Sequence, residues 1–387
     1  MKKLLIIAIA LTSVNAFATR ARMTALGNSV HVMDTQRVYN NPSDIFSFGD
    51  YVNLESGATA ASGTAKGADT EGMVVRTMGD AKFGFSIGHR SENGSGYTNG
   101  LRSIIPIVYA ASAQPSMNQQ NPIEITYGQK AADMVWAGTL VYSNYNDKAN
   151  KEKESSAGFR LGGRTGAWDF YWKQGLLNTA SRDNQFDFKG TAGTSLFAGY
   201  TMDNMYAWGY VEYVAATADE KGTVSNGITG SEVKASTVKA GLTASHKKDG
   251  GEVFYGAFLE AVDKKLTYNG ANVETKTTNL VMPVILGFES EASSWLTLRG
   301  SITQYLLVAD LKTETTPKTG LGAAPTVNGG DKEQSPSSNS TVVAVGAGLK
   351  FNKVTVDGTL SGLTGATAGQ NLDGNSLLSQ VGLTYMF

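Results

Sequence analysis

The chain has 387 residues, which is enough for one large domain or two ordinary ones. Its formal net charge of -1 gives no overall field that would favour nucleic acid or an anionic membrane surface, and the absence of cysteine excludes disulfide bonds and thiolate chemistry. The hydrophobic fraction of 41% is ordinary, but it does not exclude a membrane barrel, whose strands alternate lipid-facing and lumen-facing residues.

Residues 1–18 have the pattern of a secretory signal peptide. Lys2 and Lys3 precede the apolar run LLIIAIAL, and residues 16–18, AFA, match a signal-peptidase site. The apolar run is far shorter than the ~20 residues that a membrane-spanning helix needs. We therefore expect the mature chain to begin at Thr19. Because no later segment of the sequence is suited to a transmembrane helix, membrane insertion would require a closed barrel.

From Tyr51 onward the sequence consists of short alternating runs joined by two kinds of connection. Tight turns such as MGD, GRTG and FNK alternate with long polar connections such as NDKANKEKE and residues 308–340. This asymmetry is typical of outer-membrane barrels, which have short periplasmic turns and long outer loops. The sequence predicts an all-β fold: a transmembrane antiparallel β-barrel of about 16 strands over residues 50–387, preceded by a short N-terminal lumen plug. Merging or losing one weak hairpin would give 14 strands.

The predicted strands separate apolar from polar side chains. In AWDFYWKQ, Trp168, Phe170 and Trp172 share one face, whereas Asp169 and Lys173 share the other. A soluble secreted β-protein would alternate in the same way, with the apolar face inside. The signal-like N-terminus, the asymmetry of the connections and the well-formed last strand favour an apolar face turned toward lipid.

With that orientation, a set of charged residues of both signs faces the lumen. Opposite charges inside a barrel either pair and brace the wall or create a transverse field that orients solutes, and we favour bracing. A mixed lumen also predicts weak ion selectivity. The predicted lumen charges are Lys82, Glu124, Arg160, Asp169, Lys173, Lys239, Arg299, Lys350 and Asp357.

The chain ends in LLSQVGLTYMF, an alternating stretch whose last residue is aromatic. A barrel has no free edge, so this strand must pair with the first strand, near residues 51–58. The ending, with Tyr385 and Phe387, resembles the C-terminal signature of bacterial outer-membrane proteins. That resemblance implies recognition by the barrel-assembly machinery, with the lipid bilayer of the bacterial outer membrane as the final environment.

Residues 19–49 precede the first strand and do not alternate. Residues 25–33 are predicted to form a short helical turn, and YNNPSD is a turn by composition. The segment resembles the N-terminal hatch of the FadL-type family of hydrophobic-compound transporters, although Ser43 stands where that family usually has alanine and the family has 14 strands. The resemblance implies a plug inside the barrel and ligand passage from an outer apolar groove to an inner pocket. The matching residues are Leu26, Gly27, Asp34, Asn41 and Pro42.

The connection over residues 90–120 carries an apolar cluster within an otherwise polar stretch. It can be a landing site for a ligand, a loop that packs on the barrel rim, or an uncounted strand, and a loop would not expose it freely. Its candidate ligand residues are Leu101, Ile104, Ile105, Ile107 and Tyr109.

Enzyme chemistry finds little support in the sequence. The three histidines, His31, His89 and His246, are scattered, and none has a recognisable catalytic spacing to a serine or an acid. We expect no enzymatic activity, no cofactor and no metal site.

Three functions remain open at this stage. The first is passive uptake of small, hydrophobic or amphipathic solutes through a hatch-plugged barrel. The second is a general diffusion porin, and the third is a structural or adhesive surface protein. A homo-oligomer is compatible with each, because trimer contacts on a barrel wall resemble lipid contacts.

Overall fold

The computed structural model describes ten ranges of the chain. They are residues 19–57, 69–89, 122–149, 151–183, 186–220, 231–248, 250–268, 273–317, 341–364 and 380–387. The predicted signal peptide, residues 1–18, lies outside the described residues.

Sixteen antiparallel strands form a closed barrel in which each strand pairs with its neighbours in sequence and β1 pairs with β16. The sixteen-strand prediction is confirmed. The strands are β1 (Tyr51–Gly57), β2 (Asp69–Met78), β3 (Ala81–Ile87), β4 (Ile123–Ala131), β5 (Met134–Asp147), β6 (Glu152–Thr165), β7 (Trp168–Arg182), β8 (Phe186–Met202), β9 (Met205–Glu220), β10 (Ser231–Lys248), β11 (Gly251–Tyr268), β12 (Val273–Ser293), β13 (Leu296–Pro317), β14 (Thr341–Phe351), β15 (Val354–Thr364) and β16 (Gln380–Met386).

Two-residue connections join the strands at the end of the barrel where β1 begins and β16 ends. At residues 79–80, 166–167 and 352–353 they fall at the predicted turns MGD, GRTG and FNK. The wall is uneven in height, because β12 and β13 have 21 and 22 residues whereas β1 has 7. The tall side of the barrel is the side that surrounds the cavity described below.

Along each strand, successive side chains point alternately to the outer and the inner face of the barrel. Large apolar side chains such as Phe85, Leu140, Trp168 and Leu286 are exposed on the outer face. Their polar neighbours point inward and are buried. Such an arrangement is stable only if the outer face meets an apolar medium, since a soluble sheet turns its apolar face to a core.

The last strand closes the barrel against the first. Its register pairs Tyr51 with Met386 and Gly57 with Gln380, and the amide of Phe387 donates to the carbonyl of Asp50 at 3.1 Å. Every backbone group in this seam therefore has a neighbour strand, which hydrocarbon requires.

Residues 19–49 lie inside the barrel against its inner wall, and we call them the plug. The plug contains helix α1 (Arg20–Ala25) and two 3-10 helices, Thr35–Tyr39 and Pro42–Ser47. The prediction of a helical turn over residues 25–33 was wrong. Gly27 and Asn28 adopt left-handed backbone, with φ of 63° and 54°, and this conformation ends the helix.

Apolar side chains fill the junction between the 3-10 helices and the short side of the wall. Val38, Ile45 and Phe48 of the plug pack against Tyr51 and Val75 of β1 and β2. A second cluster joins Leu26 to the tall side, through Phe254 and Ile285. The plug is therefore packed against opposite parts of the wall.

No helix among the described residues is long and apolar enough to cross a membrane.

Candidate functional site

Helix α1 is tied to the wall by Arg22. Its Nε donates to Oε2 of Glu289 at 2.7 Å and its Nη2 donates to Oε1 at 2.9 Å, so the contact is two-pronged. Nη1 of Arg22 also donates to the carbonyl of Met33 at 2.9 Å and lies 3.3 Å from Oδ2 of Asp34. Arg22 thus fixes the helix to β12 and to the following part of the plug.

A pair of carboxylates on the short side holds a second part of the plug. Glu55 and Glu71 are directly opposed on β1 and β2. Gln36 Nε2 donates to both, at 2.6 and 2.8 Å, and Arg20 donates its backbone amide to Glu55 and its guanidinium to Glu71, both at 2.6 Å. Two adjacent acids repel each other, and these donors offset that repulsion.

Arg37 anchors the middle of the plug. Its Nε lies 3.0 Å from Oδ2 of Asp44, and its Nη2 donates to Oδ2 of Asp169 on β7 at 2.8 Å. Asp44 also lies 3.2 Å from Arg164 of β6. The three plug arginines 20, 22 and 37 therefore reach three regions of the wall: the adjacent strands β1 and β2, strand β7 and strand β12.

Several of the predicted lumen charges contact the plug. Arg160 donates to the carbonyl of Tyr39 and to Glu124, and Lys173 donates to Oδ1 of Asn40 at 2.6 Å. Lys82 donates to the carbonyl of Phe48. These contacts join β3, β6 and β7 to the plug, and the pair of Arg160 with Glu124 joins β6 to β4 within the wall.

The remaining predicted lumen charges lie on the other half of the wall. Arg299 pairs with Asp357 and with Glu289, and Lys239 lies 3.1 Å from Glu260. Lys350 lies on the same face of β14 as the buried Ala344. Both bracing within the wall and anchoring of the plug occur among these residues.

The five residues that match the hatch pattern are buried, closely packed or positioned at the ends of the plug helices. Leu26 is fully buried, and a Cβ atom on Gly27 would lie 2.5 Å from Cδ1 of Ile285, so only glycine fits this close approach with positive φ. Asp34 and Asn41 cap the two 3-10 helices by accepting from the amides of residues 36 and 43, and Pro42 begins the second of these helices.

Burial changes the titration of the plug carboxyls. It raises the pKa of Asp34 to about 7, although the guanidinium of Arg22 opposes the shift. Burial also raises the pKa of Asp44, against the opposing effect of Arg37 and Arg164. The cause in both cases is that removal from water disfavours the ionised form more than the nearby cations favour it.

A cavity of about 690 Å³ lies between the plug and the tall side of the wall. The plug contributes Ser29, Val30 and Asn41, among others, and the wall contributes residues of β7 to β13. Its volume is in the range of small-molecule sites. An aromatic group lines it: Tyr171, Phe197, Trp208, Tyr210, Phe258 and Tyr305.

The residues that line the cavity differ from the ligand residues that the sequence predicts. The apolar residues Leu101, Ile104, Ile105, Ile107 and Tyr109 lie outside the described residues. The plug arginines were not among the predicted site residues, although three arginines in a segment that lies in a barrel lumen are a signal that they need acidic partners. The aromatic lining was not predicted either, and its signal is aromatic residues at lumen-facing positions of strands that are otherwise polar inside.

Within the described ranges, no three histidine, aspartate or glutamate side chains come together as a metal site.

The fold and the lumen together define a class of protein. A closed, even-numbered antiparallel barrel with an apolar outer face, tight turns at one end and a folded plug inside is a transmembrane β-barrel of the outer-membrane type.

No protein-family model and no curated protein matches the sequence. Among solved structures, the chain is similar to a monoaromatic hydrocarbon channel, CymD, with 11% identity, coverage of 96% of this chain and 98% of that chain, and a TM-score of 0.44. A FadL homologue from Pseudomonas aeruginosa has 12% identity, coverage of 95% and 97%, and a TM-score of 0.41. A bacterial polysaccharide outer-membrane secretin has 11% identity, coverage of 87% and 97%, and a TM-score of 0.41.

Proposed function

We propose that this protein is a bacterial outer-membrane transport barrel for passive uptake of small hydrophobic or amphipathic molecules, with the plug acting as a hatch. The observation that carries the proposal is the cavity between the plug and the tall wall, because it places a ligand-sized space within a lumen that the plug occupies. A solute would reach this space from the outer side and leave past the plug.

The wall partners of the plug support a hatch that can be displaced. Glu289, which binds Arg22, is also bound by Arg299, and Asp169, which binds Arg37, also accepts from the hydroxyl of Tyr206 at 2.7 Å. Withdrawal of the plug would leave these carboxylates with a partner in the wall. The cost of an isolated buried charge is thereby avoided.

The composition of the cavity supports amphipathic cargo. Aromatic rings offer apolar area, while Ser29, Asn40 and Thr243 offer hydrogen-bonding groups at the same space. Ligand sites typically combine a mostly apolar lining with a few polar groups that fix orientation.

Conductance in planar lipid bilayers tests the proposal. We expect the intact protein to be nearly silent and a variant lacking residues 19–49 to conduct, because the plug lies across the lumen. Retention of the compact, heat-modifiable barrel on gels must be shown for the deletion variant, so that lost structure is not mistaken for lost gating.

The alternatives give different results. Large, stable open steps from the intact protein would contradict the hatch and support a general diffusion porin. Silence of both folded forms, together with no uptake of small solutes into proteoliposomes, would support a structural or adhesive surface protein.

A further inference from the structure

We propose that the cavity beside the plug is a binding site for an uncharged aromatic molecule that carries an oxygen substituent, such as a phenol or an aryl ketone. The inference rests on the proposed function, since it names the class of solute, but the binding it describes can be measured without transport. Three observations carry it: a strip of aromatic rings on the wall, two unpartnered polar groups on the plug, and the pairing of the cations that line the cavity.

The aromatic strip runs across five neighbouring strands. Tyr171 and Phe197 are directly opposed on β7 and β8, with ring centroids 4.8 Å apart and planes at 3°. Phe197 continues to Trp208 at 6.2 Å and 22°, and Trp208 continues to Phe258 at 5.3 Å and 50°. Flat π-surfaces in this arrangement favour another flat ring by stacking or edge contact.

A glycine makes the strip continuous. Gly241 of β10 is directly opposed to Trp208 on one side and to Phe258 on the other. A Cβ atom there would lie 2.6 Å from Cβ of Phe258 and 2.7 Å from Cε2 of Trp208. Because glycine has no side chain, the indole and phenyl rings meet above it, and the strip crosses β10 without a break.

The plug supplies the polar part of the site. Asn41 is fully buried, and its Oδ1 accepts from the amide and the hydroxyl of Ser43 at 3.1 and 2.7 Å. Those contacts orient its amide, and its Nδ2 has no hydrogen-bond partner within the described part of the chain. The buried hydroxyl of Ser29 likewise has no partner among the described residues, and both residues line the cavity. A ligand oxygen would satisfy the Asn41 donor and exchange a hydrogen bond with Ser29.

The charges around the cavity favour a neutral ligand. Its two lining cations are Arg37 and Lys239. Arg37 is paired with Asp44 and Asp169, and Lys239 is paired with Glu260 at 3.1 Å. An anionic ligand would have to compete with these carboxylates for either cation, whereas a neutral ring leaves every pair intact.

Fluorine NMR titrations of the full-length protein in lipid nanodiscs test the inference with four small probes. 4-Fluorophenol has the ring and the oxygen, fluorobenzene lacks the oxygen, 4-fluorobenzoate adds a negative charge, and 2-deoxy-2-fluoroglucose has oxygens without an aromatic ring. We expect saturable binding of 4-fluorophenol that is competed by unlabelled phenol, with clearly weaker binding of the other three. Empty nanodiscs measure partition into lipid.

Two variants assign the binding to the cavity. Ser29→Ala should weaken the binding of 4-fluorophenol roughly 5-fold, which is the effect of one neutral hydrogen bond, and should leave the binding of fluorobenzene unchanged. Phe197→Leu should weaken the binding of both neutral aromatic probes, 4-fluorophenol and fluorobenzene. The matched controls are Ser290→Ala and Phe288→Leu, which change exposed side chains on the outer face of β12 and should leave all titrations unchanged.

Each contrary result overturns the inference. Equal affinity for fluorobenzene and 4-fluorophenol would make the site purely apolar, tighter binding of the benzoate or of the sugar would assign another class, and no saturable binding would remove the site. Solute uptake into proteoliposomes separates the two proposals. Uptake without 4-fluorophenol binding leaves the transport function standing, whereas binding without uptake leaves the site and removes the transport function.

Discussion

Arg22 of the plug and Glu289 of β12 form a two-pronged ion pair, with Nε–Oε2 and Nη2–Oε1 distances of 2.7 and 2.9 Å. The two residues are 267 positions apart in the sequence. Because Arg22 also binds the carbonyl of Met33, one side chain couples the helix of the plug, its following turn and the tall side of the wall.

Replacement of Arg22 by alanine should loosen the plug. Loss of the hydrogen bonds from Arg22 to a charged partner should cost about 2 kcal/mol. Because Glu289 retains Arg299, no uncompensated buried charge is left and the barrel itself should remain folded. Hydrogen–deuterium exchange of residues 20–25 should become faster, and brief openings should appear in bilayer recordings. The control is Arg76→Ala, whose exposed side chain lies 3.6 Å from Asp50 and should contribute less than about 1 kcal/mol. Unchanged exchange in the Arg22 variant would show that the pair does not hold the plug.

Docking of the plug should weaken as pH rises from 5 to 8. The pKa of Asp34 in the folded plug, about 7, lies above its ordinary value of 3.8, so the docked plug binds the proton more tightly than a released plug. By linkage, docking of the plug then becomes less favourable as the pH rises toward the folded-state pKa of about 7. The loss between pH 5 and pH 8 should be roughly 2 to 3 kcal/mol. Burial is the main cause, with Arg22 opposing it and Asp357 adding to it.

The measurement is the opening free energy of the plug from hydrogen exchange at several pH values, corrected for intrinsic rates. Asp34→Asn keeps an oxygen that can cap the amide of Gln36 and cannot ionise, so its profile should be shallower. The remaining slope would include Asp44, whose pKa is raised in the same direction. Identical profiles for wild type and Asp34→Asn would rule out Asp34 as the titrating group.

Alanine at Gly162 should displace the second 3-10 helix of the plug. A Cβ atom on Gly162 would lie 1.9 Å from Oδ1 of Asn41 and 3.0 Å from Cδ of Pro42. Overpacking of this kind costs about 1–3 kcal/mol. Thermal unfolding should show the loss, and proteolysis within residues 40–47 should become faster. Gly209→Ala is the matched control, because the nearest atom to its new Cβ would be 3.9 Å away.

Deletion of Phe387 should reduce assembly of the barrel more than it affects transport by the molecules that do assemble. The backbone of Phe387 extends the β1–β16 seam, and its exposed ring packs at 5.4 Å from the ring of Tyr385 with Arg76 5.0 Å above it. The amount of heat-modifiable barrel in outer-membrane fractions measures assembly, and solute flux per folded barrel measures transport. Wild-type amounts of the truncated barrel would argue against a role of this residue in assembly.

The sequence by itself determined the wall of this protein. Strand number, turn positions and the outward direction of residues such as Phe85 and Trp168 follow from period-two alternation and from the unequal connections, which are local properties of the chain. The closing seam of β1 and β16 follows as well, because a barrel in hydrocarbon cannot leave an edge unpaired.

Only the tertiary structure decided what happens in the lumen. Alternation shows that Glu289 and Asp169 point inward, but it does not give their heights, which depend on the register between strands and on where the plug lies. The pairing of Arg22 with Glu289 and the meeting of Trp208 with Phe258 over Gly241 join residues that are distant in sequence. The cavity exists because the plug packs against two opposite parts of the inner wall and leaves space beside the tall strands. Such a space is a property of packing that no local sequence pattern encodes.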